Sequence, residues 1–284
     1  MVFIKLYFKK LLIYLFKYEL EKVSSLKGKG NQSSCYIFGD GVSLKWFDLE
    51  KFSDKPSIVL SFLVFHKDYK KLNVILNLLT EPFYFYPFVR QTINNKKWKI
   101  NKIQERFRIV IDENENVPFL LNISNYFAIR RKNIFFTYET IEKFDFALEC
   151  KSKGFDIYNG SLRTAIAYAI FMNFKEVILV GCDYTHYFSK SMHWYEKGEG
   201  VLIPKPDYDL DFFVLASKYI KITTLTLEGG SKILPYVTYK DYTCKDPIFK
   251  ENLDLIDFED AKILSTWDDY KIFNVVLIIF LFTI

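Results

Sequence analysis

The chain has 284 residues, half of them hydrophobic and 26% charged, which suits a globular protein with one full core and excludes a mainly disordered one. Its net charge of +5 sits in residues 1–30, where seven Lys face two Glu; the remainder balances at 32 basic and 32 acidic residues. A neutral body lacks the basic face that general nucleic-acid binding requires. The four cysteines, Cys35, Cys150, Cys182 and Cys244, show no zinc-finger or CxxC spacing. They read as reduced thiols of a cytosolic chain with no secretory signal. The 29 Phe and 20 Tyr are scattered, as AT-rich codon usage would scatter them, and do not form a base-stacking cluster.

Residues 1–34 form a basic amphipathic segment and linker. Within Met1 to Val23, apolar residues fall near helical spacing, and Lys5, Lys9, Lys10, Lys17 and Lys22 interrupt any run long enough to span a bilayer. Such a helix either lies on an anionic membrane surface or packs on the domain with its lysines in water. Ser24 to Ser34, rich in Ser, Gly and Lys, reads as the linker.

A catalytic domain is expected over 35–250. Cys35 to Phe38 predicts a strand that enters the tight turn Gly39-Asp40-Gly41. Ser57 to Ser61, Pro82 to Tyr86 and Asn133 to Thr137 are further strand candidates, and 91–132 reads as an irregular insertion or small lid. Ser161 is expected to cap a helix whose stripe is Leu162, Ala165, Ile166, Ala169 and Ile170. Glu176 to Gly181 is a continuous apolar run, as for a parallel strand buried on both faces. A helix around 210–219 and a strand over 221–227 follow. The pattern predicts an α/β, Rossmann-like, mostly parallel sheet with helices on both faces. Residues 251–284 form a helical and apolar tail; Phe273 to Ile284 is too short to span a bilayer and is expected to be buried or to contact another copy, with a membrane-touching end as the other reading.

Ligands collect beyond the carboxyl ends of such a sheet. Four segments fall there: Gly39 to Ser43, Ser61 to His66, Cys182 to His193 and Glu228 to Ser231. The glycine turn admits a phosphate or sugar, or is an ordinary strand exit; Asp40 would repel a phosphate and favours a ribose, base or cation. Asn159, Gly160 and Ser161 offer free helix amides to an anion, or are a plain cap. His186 and His193 share one polar loop with Asp183, Tyr184, Tyr187, Tyr195 and Glu196, a density suited to proton transfer. A metal site built from Asp183, His186 and His193 is the lesser reading, since the spacing matches no standard motif.

Ile37 to Lys45 (IFGDGVSLK) resembles the first glycine loop of bacterial sialyltransferases of glycosyltransferase family 42, and a similar GxGPSL loop opens MptE-like proteins. Gly160 and Ser161, continuing to the run KEVILVGCDY that ends at Tyr184, resemble the second shared block. Met192 to Tyr195 is similar to the sialyltransferase histidine loop, and Thr226 to Leu234 to the block after their next strand.

The resemblance implies an inverting, metal-independent transferase. It would move sialic acid or a related nonulosonate from a CMP-linked donor to a glycan acceptor, in surface lipooligosaccharide or polysaccharide synthesis. No cofactor is implied beyond the CMP-sugar co-substrate. The expected place is the cytoplasm, at the inner face of the membrane, with residues 1–23 in peripheral contact; a homo-oligomer is left open. His193 becomes the base, with Tyr184, Tyr187 and Thr185 at or beside the position that assists the departing phosphate. Gly39, Asp40, Gly41, Ser61, Asn159, Gly160, Ser161, Asp183, Gly229, Gly230 and Ser231 fall on the donor side. The family has Asn at the positions of Asp40 and Ser61, Pro at Val42, and Tyr at Thr185. The alternatives are a 6-hydroxymethylpterin diphosphokinase using ATP and Mg²⁺, as for the MptE namesake, and a non-catalytic nucleotide-sugar-binding relative.

Overall fold

The structure is a computed structural model that describes residues 14–30, 34–81, 84–86, 90–93, 96–97, 102–139, 156–157, 160–203, 210–264 and 270–271. Asn159, Cys150 and the apolar run Phe273 to Ile284 lie outside the described residues.

The strands in chain order are β1 Ser34–Phe38, β2 Pro56–Leu60, β3 Asn73–Leu79, β4 Arg90–Ile93, β5 Lys96–Lys97, β6 Phe119–Asn122 and β7 Ile134–Glu139. They continue as β8 Asp156–Ile157, β9 Glu176–Val180, β10 Ser189–Ser191, β11 Val201–Ile203, β12 Lys221–Thr226, β13 Tyr236–Thr238 and β14 Tyr270–Lys271. Nine of them form one sheet in the order β13-β12-β9-β1-β2-β3-β6-β7-β8, with every pairing parallel. A hairpin of β10 and β11 and a small antiparallel group of β14, β4 and β5 stand apart. This is the α/β, Rossmann-like architecture expected.

The central strands read as unbroken apolar runs because both faces are covered. Cys35 to Phe38, Ile58, Val59 and Val177 to Val180 are all buried. Each large side chain so buried contributes on the order of 2 kcal/mol. The helix Ser161–Phe171 packs against β1, β2 and β3. Its small residues Ala165, Ala167 and Ala169 are buried, which lets its backbone approach the sheet.

Several local expectations need correction. The cap of that helix is Gly160, at φ 104, with no side-chain cap bond; Ser161 is its first helical residue. The described residues 102–132 are more regular than an irregular insertion. They hold the helix Lys102–Glu113, whose Ile103, Phe107, Val110 and Ile111 face the core, and the sheet strand β6. Within Pro82 to Tyr86, the described residues 84–86 are not a strand. Tyr84 and Phe85 instead bury their rings, with Tyr84 edge-on to Phe107 at 5.6 Å. The third strand is Asn73–Leu79, upstream of them. The expected linker is tied down at its start: Leu26 is buried, and the Gly28 and Gly30 amides donate to the Phe171 and Met172 carbonyls. No described helix is long and apolar enough to cross a membrane.

Candidate active site

The chain builds the sheet outward from β1 through β2, β3, β6 and β7, then returns to lay β9 on the other side of β1. The crevice between the ends of β1 and β9 is therefore the topological switch point, where open α/β sheets bind ligands. The residues leaving those strands are Gly39, Asp40 and Gly41 on one side and Gly181, Cys182 and Asp183 on the other.

The two loops are in direct contact. The Gly39 amide donates to the Val180 carbonyl at 2.9 Å, and the Gly41 amide to the Gly181 carbonyl at 2.8 Å. A Cβ on Gly39 would lie 2.5 Å from the Gly181 oxygen, and one on Gly41 2.5 Å from both that oxygen and the Asp183 Cγ. Glycine is required at both positions for this approach. The Asp183 carboxylate accepts from the Ser43 amide at 2.9 Å and from the Ser43 hydroxyl, and so holds the 3₁₀ turn Val42–Trp46. His186 is buried 3.7 Å from Asp183, and burial lowers its pKa. Cys182 is buried, and burial pushes its thiol well up, so it is no nucleophile.

Asp40 is the hub of the site. Its Oδ2 accepts from the Phe62 amide and its Oδ1 from the Trp194 indole Nε1, each at 3.2 Å. Its carbonyl accepts from the Trp194 amide at 3.2 Å, and Gly41 pairs with His193 as an antiparallel bridge. Asp40 thus joins the exit of β1, the exit of β2 and the histidine loop. Burial pushes its carboxyl up to about 6, while His193 and the hydrogen bonds from Phe62 and Trp194 pull the other way. Glu81, two residues beyond β3, faces the same region. Burial pushes its carboxyl up to about 7, with Asp40 adding repulsion, and its Oε2 is shielded with no hydrogen-bond partner among the described residues.

His193 lies in the mouth of this crevice. Its Nδ1 pairs with the Glu196 carboxylate, and its ring stacks on Tyr195 with centroids 5.0 Å apart and planes at 5°. The ring is partly open to solvent, at 40% exposure. Backbone strain converges here as well. Met192, just before His193, has φ 95, and Ser61, at the exit of β2, has φ 36. Asn173 and Cys244 share positive φ but end helices, where that conformation is ordinary. Ser61 and Met192 have no such account, and uncapped strain of this kind clusters at functional sites.

Lys45 underlies the histidine loop. It is fully buried, donates to the Gly198 carbonyl at 2.5 Å and sits 3.8 Å from Glu251. Burial lowers its pKa, against the pull of Glu251, Glu196 and Glu199.

The remaining candidates form a rim. Tyr184 is exposed at 62%, and Tyr187 is half-buried with the Lys232 ammonium 3.5 Å above its ring centre. Thr185 is buried, donates to the Cys182 carbonyl at 2.8 Å and bonds the Thr224 hydroxyl, so its hydroxyl faces the core. Gly230 exchanges backbone bonds with Tyr187, a Cβ on Gly229 would lie 2.9 Å from the Tyr187 carbonyl oxygen, and the Ser231 hydroxyl donates to the Thr185 carbonyl at 2.6 Å. Gly160 and Ser161 head a helix that runs back toward the start of β9, which puts them at the carboxyl edge of the sheet. A Cβ on Gly160 would meet nothing within 4 Å.

The histidine loop and the first glycine loop are thus brought together, while His186 and Asp183 turn inward and do not join His193. Among the described residues no group of three or more His, Cys, Asp or Glu could hold a metal ion. The roles of Trp194, Glu81 and Lys45 were not read from sequence. An aromatic, a lone glutamate after a strand and a lysine in an amphipathic turn carry no spacing signal that distinguishes them from core or surface.

No family model and no curated protein matches the chain. Among solved structures it is similar to a crystal structure of a point variant of the sialyltransferase CST-II in complex with CMP, with TM-score 0.43 and 14% identity over 84% of this chain and 99% of that one. An X-ray structure of a point variant of α-2,3/8-sialyltransferase CstII is similar with TM-score 0.40 and 14% identity over 81% of this chain and 98% of that one.

Proposed function

We propose that the chain is an inverting glycosyltransferase with a nucleotide-sugar donor, CMP-sialic acid or a related nonulosonate, and a hydroxyl acceptor on a glycan. The observation that carries this is the placement of a carboxylate-paired histidine, His193 with Glu196, against Gly41 at the switch point of a parallel sheet. The short blocks that resemble those of family 42 are what support the donor class.

The chemistry then follows from the residues. His193 takes the acceptor proton at Nε2, since Nδ1 is held by Glu196. The acceptor oxygen forms its bond to the anomeric carbon as the bond to the nucleotide phosphate oxygen breaks, and the electron pair leaves with the phosphate. Glu196 stabilises the imidazolium that results. Charge growing on the phosphate is met by the helix amides at Gly160 and Ser161 and by the hydroxyls of Tyr184 and Tyr187. Thr185 has no part in this, because its hydroxyl is bound inside. Asp40, an acid at a position where the family it resembles has Asn, is held by the Phe62 amide and the Trp194 indole and so fixes the glycine turn on the donor side.

The diphosphokinase reading would draw on Asp40 and Asp183 beside a metal. Both carboxylates are already held, by Phe62 and Trp194 and by Ser43, which gives that reading no support.

The test is CMP titration and donor turnover with purified protein and His193→Ala. Saturable CMP binding in both, with transfer or donor hydrolysis lost only in the variant, is the expected result. No binding of any cytidine nucleotide would overturn the donor assignment. Turnover unchanged in the variant would overturn the role of His193, and binding without turnover in wild type would mark a non-catalytic relative.

A further inference from the structure

A second surface lies at the opposite edge of the sheet. Arg130, Arg131 and Lys132 lead into β7, so they stand at its amino end, whereas the candidate site stands at the carboxyl ends of β1 and β9. The N-terminal helix Lys17–Glu21 packs against β7, and the ring of Phe16 meets Tyr126 and Phe127 at 5.2 and 5.8 Å. A groove of about 720 Å³ runs between these elements, lined by Lys22, Ser24, Ser25, Arg130, Lys132 and Phe135 among others.

Packing explains only one side of the N-terminal helix. Leu20 and Val23 enter the core, but Tyr14, Leu15 and Tyr18 are 76%, 64% and 77% exposed, and Phe127 beside them is 62% exposed. The same face is basic. Lys17, Lys22 and Arg131 are matched by Glu21, Glu19 and Asp112, which leaves Arg130, held over the Tyr126 ring at 4.8 Å, and the exposed Lys132 in excess.

We propose that this face docks on an anionic bilayer surface, with Arg130 and Lys132 taking lipid phosphates and Tyr14, Leu15, Tyr18 and Phe127 entering the headgroup layer. Exposed rings and aliphatic groups beside an excess of Lys and Arg are the composition that an interfacial helix presents to acidic lipid. A nucleic acid fits less well. Leu15 and Phe127 bring no group that reads a base edge, and the rest of the chain carries no net positive charge. Under the proposed function the catalytic cleft would then open away from the lipid, across strands roughly 17–20 Å long. That orientation suits an acceptor whose growing end extends from the membrane.

The experiment is co-sedimentation of the full chain with vesicles of phosphatidylcholine, alone or with about one-third phosphatidylglycerol. Binding to the mixed vesicles only, released as salt rises from about 0.1 to about 0.5 M, is expected. The double variant Arg130→Gln, Lys132→Gln should lower partitioning about tenfold. Phe127→Ser should lower it with charge unchanged. All three positions are exposed, so near-ultraviolet circular dichroism should confirm an intact fold. Absence of binding to acidic vesicles, equal binding to both compositions, or variants that bind as wild type would overturn the proposal. So would salt-sensitive binding of a labelled single-stranded RNA without vesicle binding. CMP affinity, read on the same samples, keeps this outcome separate from that of the active site.

Discussion

The indole Nε1 of Trp194 donates to the Asp40 carboxylate at 3.2 Å, and the Trp194 amide donates to the Asp40 carbonyl at the same distance. One aspartate thereby fixes the position of the residue that follows His193. Trp194 is fully buried, and its ring also packs against His66 at 5.0 Å, where burial lowers the imidazole to about 4 and keeps it neutral. Trp194→Phe keeps most of that packing and removes the donor. The loss should be about 1–3 kcal/mol where Asp40 is ionised, because the bond goes to a charged acceptor. Below pH 5, with Asp40 protonated, the loss should be smaller. Urea unfolding at pH 8 and pH 4.5 measures both, and an equal loss at the two values would show that the bond is insensitive to the charge of Asp40.

Glu81 and Asp40 make stability fall as pH rises. Both acids have folded pKa values above their ordinary ones, about 7 against 4.5 and about 6 against 3.8. Between those limits the folded chain holds protons that the unfolded chain has released. Their contribution is fully present below about pH 4 and lost as pH climbs through about 6 and then about 7. Glu81→Gln removes one of the two. The variant should gain roughly 1–2 kcal/mol over wild type at pH 8 and nothing at pH 4. Unfolding midpoints across that range, with a flatter curve for the variant, are the check.

Two glycines should respond differently to a methyl group. Gly41→Ala would press a Cβ to 2.5 Å from the Gly181 oxygen and the Asp183 Cγ, both fixed by their own hydrogen bonds. We expect a loss of at least about 3 kcal/mol, or no folded protein, since neither neighbour can give way. Gly160→Ala meets open space, and only its φ of 104 opposes the change. Its cost should be about 1–2 kcal/mol. Similar unfolding midpoints for the two variants would show that the β1 and β9 loops are looser than their contact suggests.

How much of this was readable in the chain depends on the range of the forces involved. The run Glu176 to Val180 and the stripe from Leu162 to Ile170 announce themselves, because burial on both faces and helical periodicity are local patterns. The strand β3 was passed over. Asn77 interrupts its apolar run, and its side-chain amide donates to the Tyr69 hydroxyl, eight residues upstream. The aromatic residues after Pro82 look more strand-like, yet Tyr84 and Phe85 are drawn into the core beneath Phe107. The site divides in the same way. His193 and the glycine turn stand out by residue type. The bonds that join them run from Asp40 to Phe62 and Trp194, 22 and 154 residues away, and pairing over such a separation leaves no mark on spacing.

Glu196 offers the sharpest functional test, because its carboxylate pairs with His193. Its carboxylate holds Nδ1 and would stabilise the imidazolium formed on proton transfer. Glu196→Gln keeps the size and removes the charge. We expect turnover to fall about 10- to 100-fold with KM for the donor nearly unchanged, a loss confined to the transition state. The pH at which activity rises on the acid side should also move downward, since an imidazole without a paired carboxylate gives up its proton more readily. Lys45 lies close enough to Glu196 to be felt electrostatically, so a loop displaced by the substitution would also disturb the Lys45 bond to Gly198. Unchanged unfolding with a shifted pH profile would identify charge as the cause. A proportional loss of stability and activity with no shift would assign Glu196 a purely structural place.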